Sequence, residues 1–133
     1  MPAIAAITLD GNAGVDHVFT PKTSDMSKSL VQWNKAGSAP VGDERLTFSV
    51  SKSSSGAQKV TVKLVLPKTQ DVEIGGVTRP SVVRTAYITL EFTSSDSAPI
   101  DDRYEMLELV RSILNNTTNP ALNAAIVNLE PFY

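Results

Sequence analysis

No cysteine occurs among the 133 residues, which excludes disulfides, zinc–thiolate sites and thiol nucleophiles together. Histidine occurs once, as His17. A lone histidine in or beside a hairpin reads as an ordinary surface or hairpin residue, not as a catalytic base. Charge of either sign is in no excess: 12 basic against 14 acidic residues give a net charge of -2. Nucleic-acid-binding domains are often basic, so any RNA binding here must rest on a local patch. Long hydrophobic runs are absent too. The opening stretch Met1-Pro2-Ala3-Ile4-Ala5-Ala6-Ile7 has no basic segment, and Asp10 interrupts it. It is expected to be neither a signal peptide nor a membrane span, with synthesis and folding in a cytoplasm. No internal repeat or low-complexity tract occurs.

What is present suits one folded domain over 1–133, with 41% hydrophobic and 20% charged residues. Residues 3–9 and 15–19, separated by Asp10-Gly11-Asn12-Ala13-Gly14, read as a β-hairpin within residues 1–20. Residues 20–28 carry Pro21 and several Ser, Thr and Asp residues and read as a loop. Residues 29–34 read as a short strand, and 36–43 as another loop.

Period two is clearest from residue 44 to 51. Leu46, Phe48 and Val50 alternate there with Arg45, Thr47, Ser49 and Ser51. Residues 59–66 repeat the pattern, with Val60, Val62, Leu64 and Leu66 opposite Lys59, Thr61, Lys63 and Val65. Pro67 closes that run or marks an edge. Residues 69–79, with Gly75-Gly76, read as a flexible loop or hairpin tip. Residues 82–92 form a further strand, and the sheet is expected to end at residue 92. From Asp101 the period becomes helical: Met106, Leu107, Leu109, Val110, Ile113 and Leu114 follow the spacing of an amphipathic helix. Asp101 or Asp102 can cap this helix, and Asn119-Pro120 opens a second one ending near residue 129. The order is about six strands and then two helices, an α+β arrangement. Two helices are a small cover for so wide a sheet, and a second chain would help to cover it.

If the three clear strands pair in sequence order, one face presents Arg45, Thr47, Ser49, Lys59, Thr61, Lys63, Thr85, Tyr87 and Thr89. Lysine neutralises phosphate, hydroxyls bond to phosphates and base edges, and tyrosine stacks on an unpaired base. Any solvated sheet face is also rich in threonine, because threonine favours strands. Rival chemistry is thinly supported. Asp101, Asp102, Glu105 and Glu108 have helix-start and helix-face spacing. Gly75-Gly76 lacks the lysine and hydroxyl residue of a phosphate loop, and Ser53-Ser54-Ser55 reads as a turn. Asn115-Asn116-Thr117 matches a glycosylation sequon without a secretory signal. An enzyme, a cofactor and a metal are therefore not expected. The competing reading is a cellular sheet-platform RNA-binding or translational-repressor domain that forms no shells.

Several stretches carry a family resemblance: residues 45–50, residues 59–68, Ile74-Gly75-Gly76-Val77-Thr78-Arg79-Pro80, Arg84-Thr85-Ala86-Tyr87, Leu30-Val31-Gln32-Trp33, and the closing Asn128-Leu129-Glu130-Pro131-Phe132-Tyr133. In order and position the chain resembles the levivirus coat proteins, the shell proteins of small single-stranded RNA bacteriophages. The resemblance implies an N-terminal hairpin, a five-stranded antiparallel sheet and two C-terminal helices. It also implies an interlocked dimer with a continuous ten-stranded sheet, an icosahedral shell, and binding of a genomic RNA hairpin that represses replicase translation and marks the genome for packaging. The virion is then its location and a bacterial cytoplasm its place of synthesis, with no membrane and no small-molecule substrate. By position, the RNA-contacting residues are Thr47, Ser49, Thr61, Lys63, Tyr87 and Thr89. Thr89 stands where relatives often have Asn or Asp. Some relatives cross-link their shells through cysteines in the loop matching 69–79, which this chain cannot do.

Overall fold

The computed structural model describes residues 3–37 and 39–132. The chain divides into two compact units, residues 1–93 and 94–133. The first is an antiparallel sheet in strict sequence order: β1 (Ile7–Asp10), β2 (Asp16–Asp25), β3 (Leu30–Lys35), β4 (Glu44–Lys52), β5 (Ala57–Ile74) and β6 (Val77–Ser95), whose last residues pass into the second unit. The second unit holds α1 (Ile100–Ile113) and α2 (Pro120–Asn128). Neither is long and apolar enough to cross a membrane.

The expected N-terminal hairpin is present, with Ile7 opposite Phe19 and Leu9 opposite His17. Its turn uses left-handed backbone at Ala13 and Gly14. The expected loop over 20–28 is corrected. β2 continues through Pro21 to Asp25 and pairs its second half with β3. The ladder shifts register between Pro21 and Thr23, and this bulge accommodates a residue that has no N–H to donate. One strand thus serves both the hairpin and the main sheet. The tight turn after it is held by Asp25, whose Oδ1 accepts from the Ser27 hydroxyl at 2.5 Å and from the Ser27 N–H at 3.1 Å. The hydroxyl bond is the main reason that the Asp25 carboxyl titrates below its ordinary range.

Pro67 does not close its strand. β5 runs on to Ile74. The last β4 partner of β5 is Val65, so Pro67 lies where the β4 side no longer needs a donor. The segment 69–79 is likewise mostly strand, and Gly75-Gly76 alone form its tip. Their φ values of 60° and 80° suit a two-residue hairpin turn that follows the sheet twist.

In the helical unit, neither Asp101 nor Asp102 is the cap. Pro99 precedes the helix, and both aspartates sit inside the first turn, where their negative charge is favoured by the positive end of the helix dipole. Leu114 is the C-cap of α1, and just beyond it Asn115 Oδ1 accepts from the Thr117 and Thr118 N–H groups. α2 begins at Pro120 as expected, but the Asn119 amide donates to the Ser112 carbonyl at 2.6 Å instead of capping. Neither helix contains a buried residue.

The core lies on one face of the sheet. Phe19 is fully buried, and Trp33 and Leu46 nearly so, with Ile7, Leu9, Val31, Val62 and Leu64 packed against them. Two polar ties fix the N-terminal segment over this face. The Trp33 indole N–H donates to the Ala5 carbonyl at 2.8 Å. His17 Nδ1 meets Glu44 Oε2 at 2.6 Å, and the Glu44 side chain is only 7% exposed. His17 is therefore not a bare surface residue. It is the partner of a buried carboxylate, which would be costly to leave unbonded. His17→Ala is expected to destabilise the protein by roughly 1–3 kcal/mol. Urea unfolding at fixed protein concentration checks this, and the loss should nearly vanish in a Glu44→Leu background.

Candidate nucleic-acid interface

The face opposite the core is built by cross-strand register. In β4 and β5, Arg45 lies opposite Val65, Thr47 opposite Lys63, Ser49 opposite Thr61, and Ser51 opposite Lys59. Residues directly opposite in an antiparallel ladder share a face, their Cα atoms about 4.5–5.5 Å apart. Four of the six expected contact residues, Thr47, Ser49, Thr61 and Lys63, therefore form two adjacent rows. The alternate positions Leu46, Leu64, Phe48 and Val62 pair with one another and turn to the apolar side.

The other two, Tyr87 and Thr89, lie on β6, the neighbour of β5. Lys59 and Glu91 fix their face: Lys59 Nζ and Glu91 Oε1 are 3.3 Å apart. An ion pair between neighbouring strands cannot pass through the sheet, so Glu91 shares the face of Lys59. By alternation Thr89 and Tyr87 share it with Thr61 and Lys63. Tyr87 is 74% exposed, an open ring face on a largely hydrophilic platform. Thr85, two residues earlier, is half-buried and lines a small cavity of about 220 Å³ with Leu66, Lys68, Arg84 and Ala86. Lysine, arginine, hydroxyl and aromatic groups on a twisted, solvated surface can hold phosphates and stack bases. Among the described residues, no cluster of three or more potential metal ligands occurs.

β3 extends this face further than the sequence reading placed it. Gln32 lies opposite Thr47, and Asn34 opposite Arg45. The signal was there in 29–34, where Val31 and Trp33 alternate with Gln32 and Asn34. The Lys59–Glu91 pair is half exposed on both sides, so it should matter little to stability. Glu91→Gln is expected to change unfolding free energy by less than about 0.5 kcal/mol, as read by urea denaturation.

Comparison with known proteins adds the family. The family profile described as levivirus coat protein matches residues 2–133. The capsid protein of Pseudomonas phage PRR1 is 30% identical over 118 residues, covering 89% of this chain and 88% of that protein. The virus-like particle of bacteriophage NT-214 matches with a TM-score of 0.85 at 22% identity, covering 99% of this chain and all of the other. An unassembled virus coat protein dimer, described as a bacteriophage RNA-binding dimer, matches with a TM-score of 0.67 at 21% identity over 98% of both chains.

Proposed function

The chain belongs to the levivirus coat protein family and is a capsid protein; on that premise we propose that it dimerises, assembles into an icosahedral shell and binds a genomic RNA hairpin through the polar face of its sheet. The observation that carries the RNA reading is the register that aligns Thr47 with Lys63 and Ser49 with Thr61 beside an exposed Tyr87. Thr47, Ser49, Thr61, Lys63, Tyr87 and Thr89 are the proposed contacts. The fold also resembles that of a coat protein dimer described as RNA-binding.

The dimer reading rests on uncovered apolar surface. Leu109, Ile113 and Leu114 of the α1 region and Ile126 and Val127 of α2 are all exposed, and so is Ile88 of β6. A single coat-protein domain over 1–133, paired with a second copy into a ten-stranded sheet crossed by its partner's helices, would cover them. In this reading the protein works in the virion after synthesis in the bacterial cytoplasm. Bound to the replicase start site, it represses translation and selects the genome for packaging. It catalyses nothing, needs no cofactor, and contacts neither membrane nor small-molecule substrate. A non-assembling cellular repressor is the less favoured reading, because capsid relatives match along nearly the whole chain.

Two tests follow. Mass measurement at micromolar concentration should find dimers and shells and no folded monomer. A well-folded monomer there would overturn the interlocked dimer. In RNA binding, Lys63 contributes through phosphate and Tyr87 through a base stack. Lys63→Ala should reduce the salt slope of binding by roughly one ion. Tyr87→Ala should cost roughly 1–3 kcal/mol of binding. Hairpin affinity titrated against salt checks both, with dimer melting unchanged as the control. Wild-type affinity in both variants would place the RNA site elsewhere.

A further inference from the structure

The side of the sheet that carries the hairpin is apolar over Leu46, Val62 and Leu64, but further along β5 it turns basic. Leu64, Leu66 and Lys68 alternate with Lys63 and Val65, so they stand on the side away from the RNA platform. Leu66 lines a cavity with Leu9, His17 and Phe19, which places it on the hairpin side. On β6, Arg84, Ala86 and Ile88 alternate with Tyr87 in the same way. Leu66, Lys68, Arg84 and Ala86 meet around the cavity of about 220 Å³. Two exposed cations are thus brought together on the face that RNA does not use. Among the described residues, neither Lys68 nor Arg84 forms an ion pair. Like charges side by side repel unless an anion lies with them.

The helical unit offers the complement. Ile100, Tyr104 and Leu107 of α1 are exposed at i, i+4 and i+7 and form one apolar stripe. Asp101 and Glu105 run along the edge of that stripe, one turn and roughly 5–6 Å apart. Both are exposed and, among the described residues, have no cation partner. Glu108, next along the same edge, is taken by Arg111. An apolar stripe edged with carboxylates matches a basic pair bordered by Ala86 and the exposed Ile88.

We propose that Lys68 and Arg84 of one copy clamp Asp101 and Glu105 of a second copy, and that this clamp makes the dimer selective for its own chain. The proposal rests on the dimer reading and names the charges that choose the partner. A nucleic-acid phosphate would also satisfy the two cations, but it would leave Ile88, Ile100 and Leu107 in water. The acidic edge of a second copy's α1 neutralises the cations and covers the apolar residues together. Exposed ion pairs add little net affinity, whereas like charges at the same place reject a wrong partner. The clamp therefore acts on selectivity more than on strength.

The test exchanges the charges. One full-length chain carries Lys68→Glu with Arg84→Glu. Another, of different mass, carries Asp101→Lys with Glu105→Lys. Each homodimer then holds like charges at both clamps, while the mixed dimer holds opposite charges at both. The two chains are co-expressed, and native mass spectrometry reads the composition of the dimers, released from shells where shells form. The ratio of mixed to like dimers should exceed that of two mass-labelled wild-type chains by at least about 10-fold. Raised salt should shrink the preference. A chain carrying all four substitutions should pair with itself again, which separates charge matching from damage to the helix or the strands. If Asp101 and Glu105 met the cations of their own chain, mixing would bring no relief. Random pairing of the two variants therefore overturns the clamp and leaves the dimer standing. Random pairing together with loss of RNA affinity in the Lys68→Glu, Arg84→Glu chain would assign these cations to nucleic acid, and also overturns it. Absence of soluble dimer from both the co-expressed pair and the fourfold variant overturns it as well, because complementary charges should restore pairing. Folded wild-type monomers would overturn the dimer reading, and the clamp with it.

Discussion

Everything in the first unit depends on the pairing register between β4 and β5. With Leu46 opposite Leu64 and Thr47 opposite Lys63, one face is apolar from Leu46 to Val50 and the other polar from Thr47 to Ser51. A slip of one residue would exchange the faces of a strand, burying Lys63 beneath the N-terminal hairpin and exposing Leu64 to water. Core formation and construction of the binding face are therefore one event. Phe19, Trp33 and Leu46 gain burial only in the register that also aligns the hydroxyl and lysine rows.

The hairpin locks that choice. β2 serves first as the hairpin's second strand and then, past the bulge near Pro21, as the neighbour of β3. The hairpin can lie over the apolar face while its strand stays in the sheet. Two polar bonds make the docking specific: the Trp33 indole to the Ala5 carbonyl, and His17 to Glu44. Glu44 occupies the apolar side of β4, where an unbonded carboxylate would oppose folding, so His17 makes burial of that position compatible with the fold.

Much of this was legible in the residue pattern, because period-two alternation is a local signal. Residues 44–51 and 59–66 declared their two faces without a structure, and Asn119-Pro120 declared the second helix. Misreadings arose where a local breaker met a tertiary remedy. Pro21 falls at a bulge, and Pro67 falls beyond the reach of β4, so neither ends its strand. Asp101 and Asp102 have the chemistry of caps, yet the chain enters the helix at Ile100. The role of His17 was hidden for another reason: its partner Glu44 lies 27 residues away, a separation that no local pattern reveals. Gln32 and Asn34 alternate visibly with Trp33, but only the β3–β4 register places them beside Thr47 and Arg45.

Two lysines on opposite faces allow a direct comparison. Lys63 shares the polar face with Thr47, whereas Lys35 lies opposite Glu44 on the apolar side. The most direct test of the central claim is lysine-modification mass spectrometry of the dimer with and without an RNA hairpin to which it binds. Protection of Lys63 by RNA with no change at Lys35 is the predicted result. Protection of Lys35 with Lys63 still reactive would contradict the assignment of the RNA face.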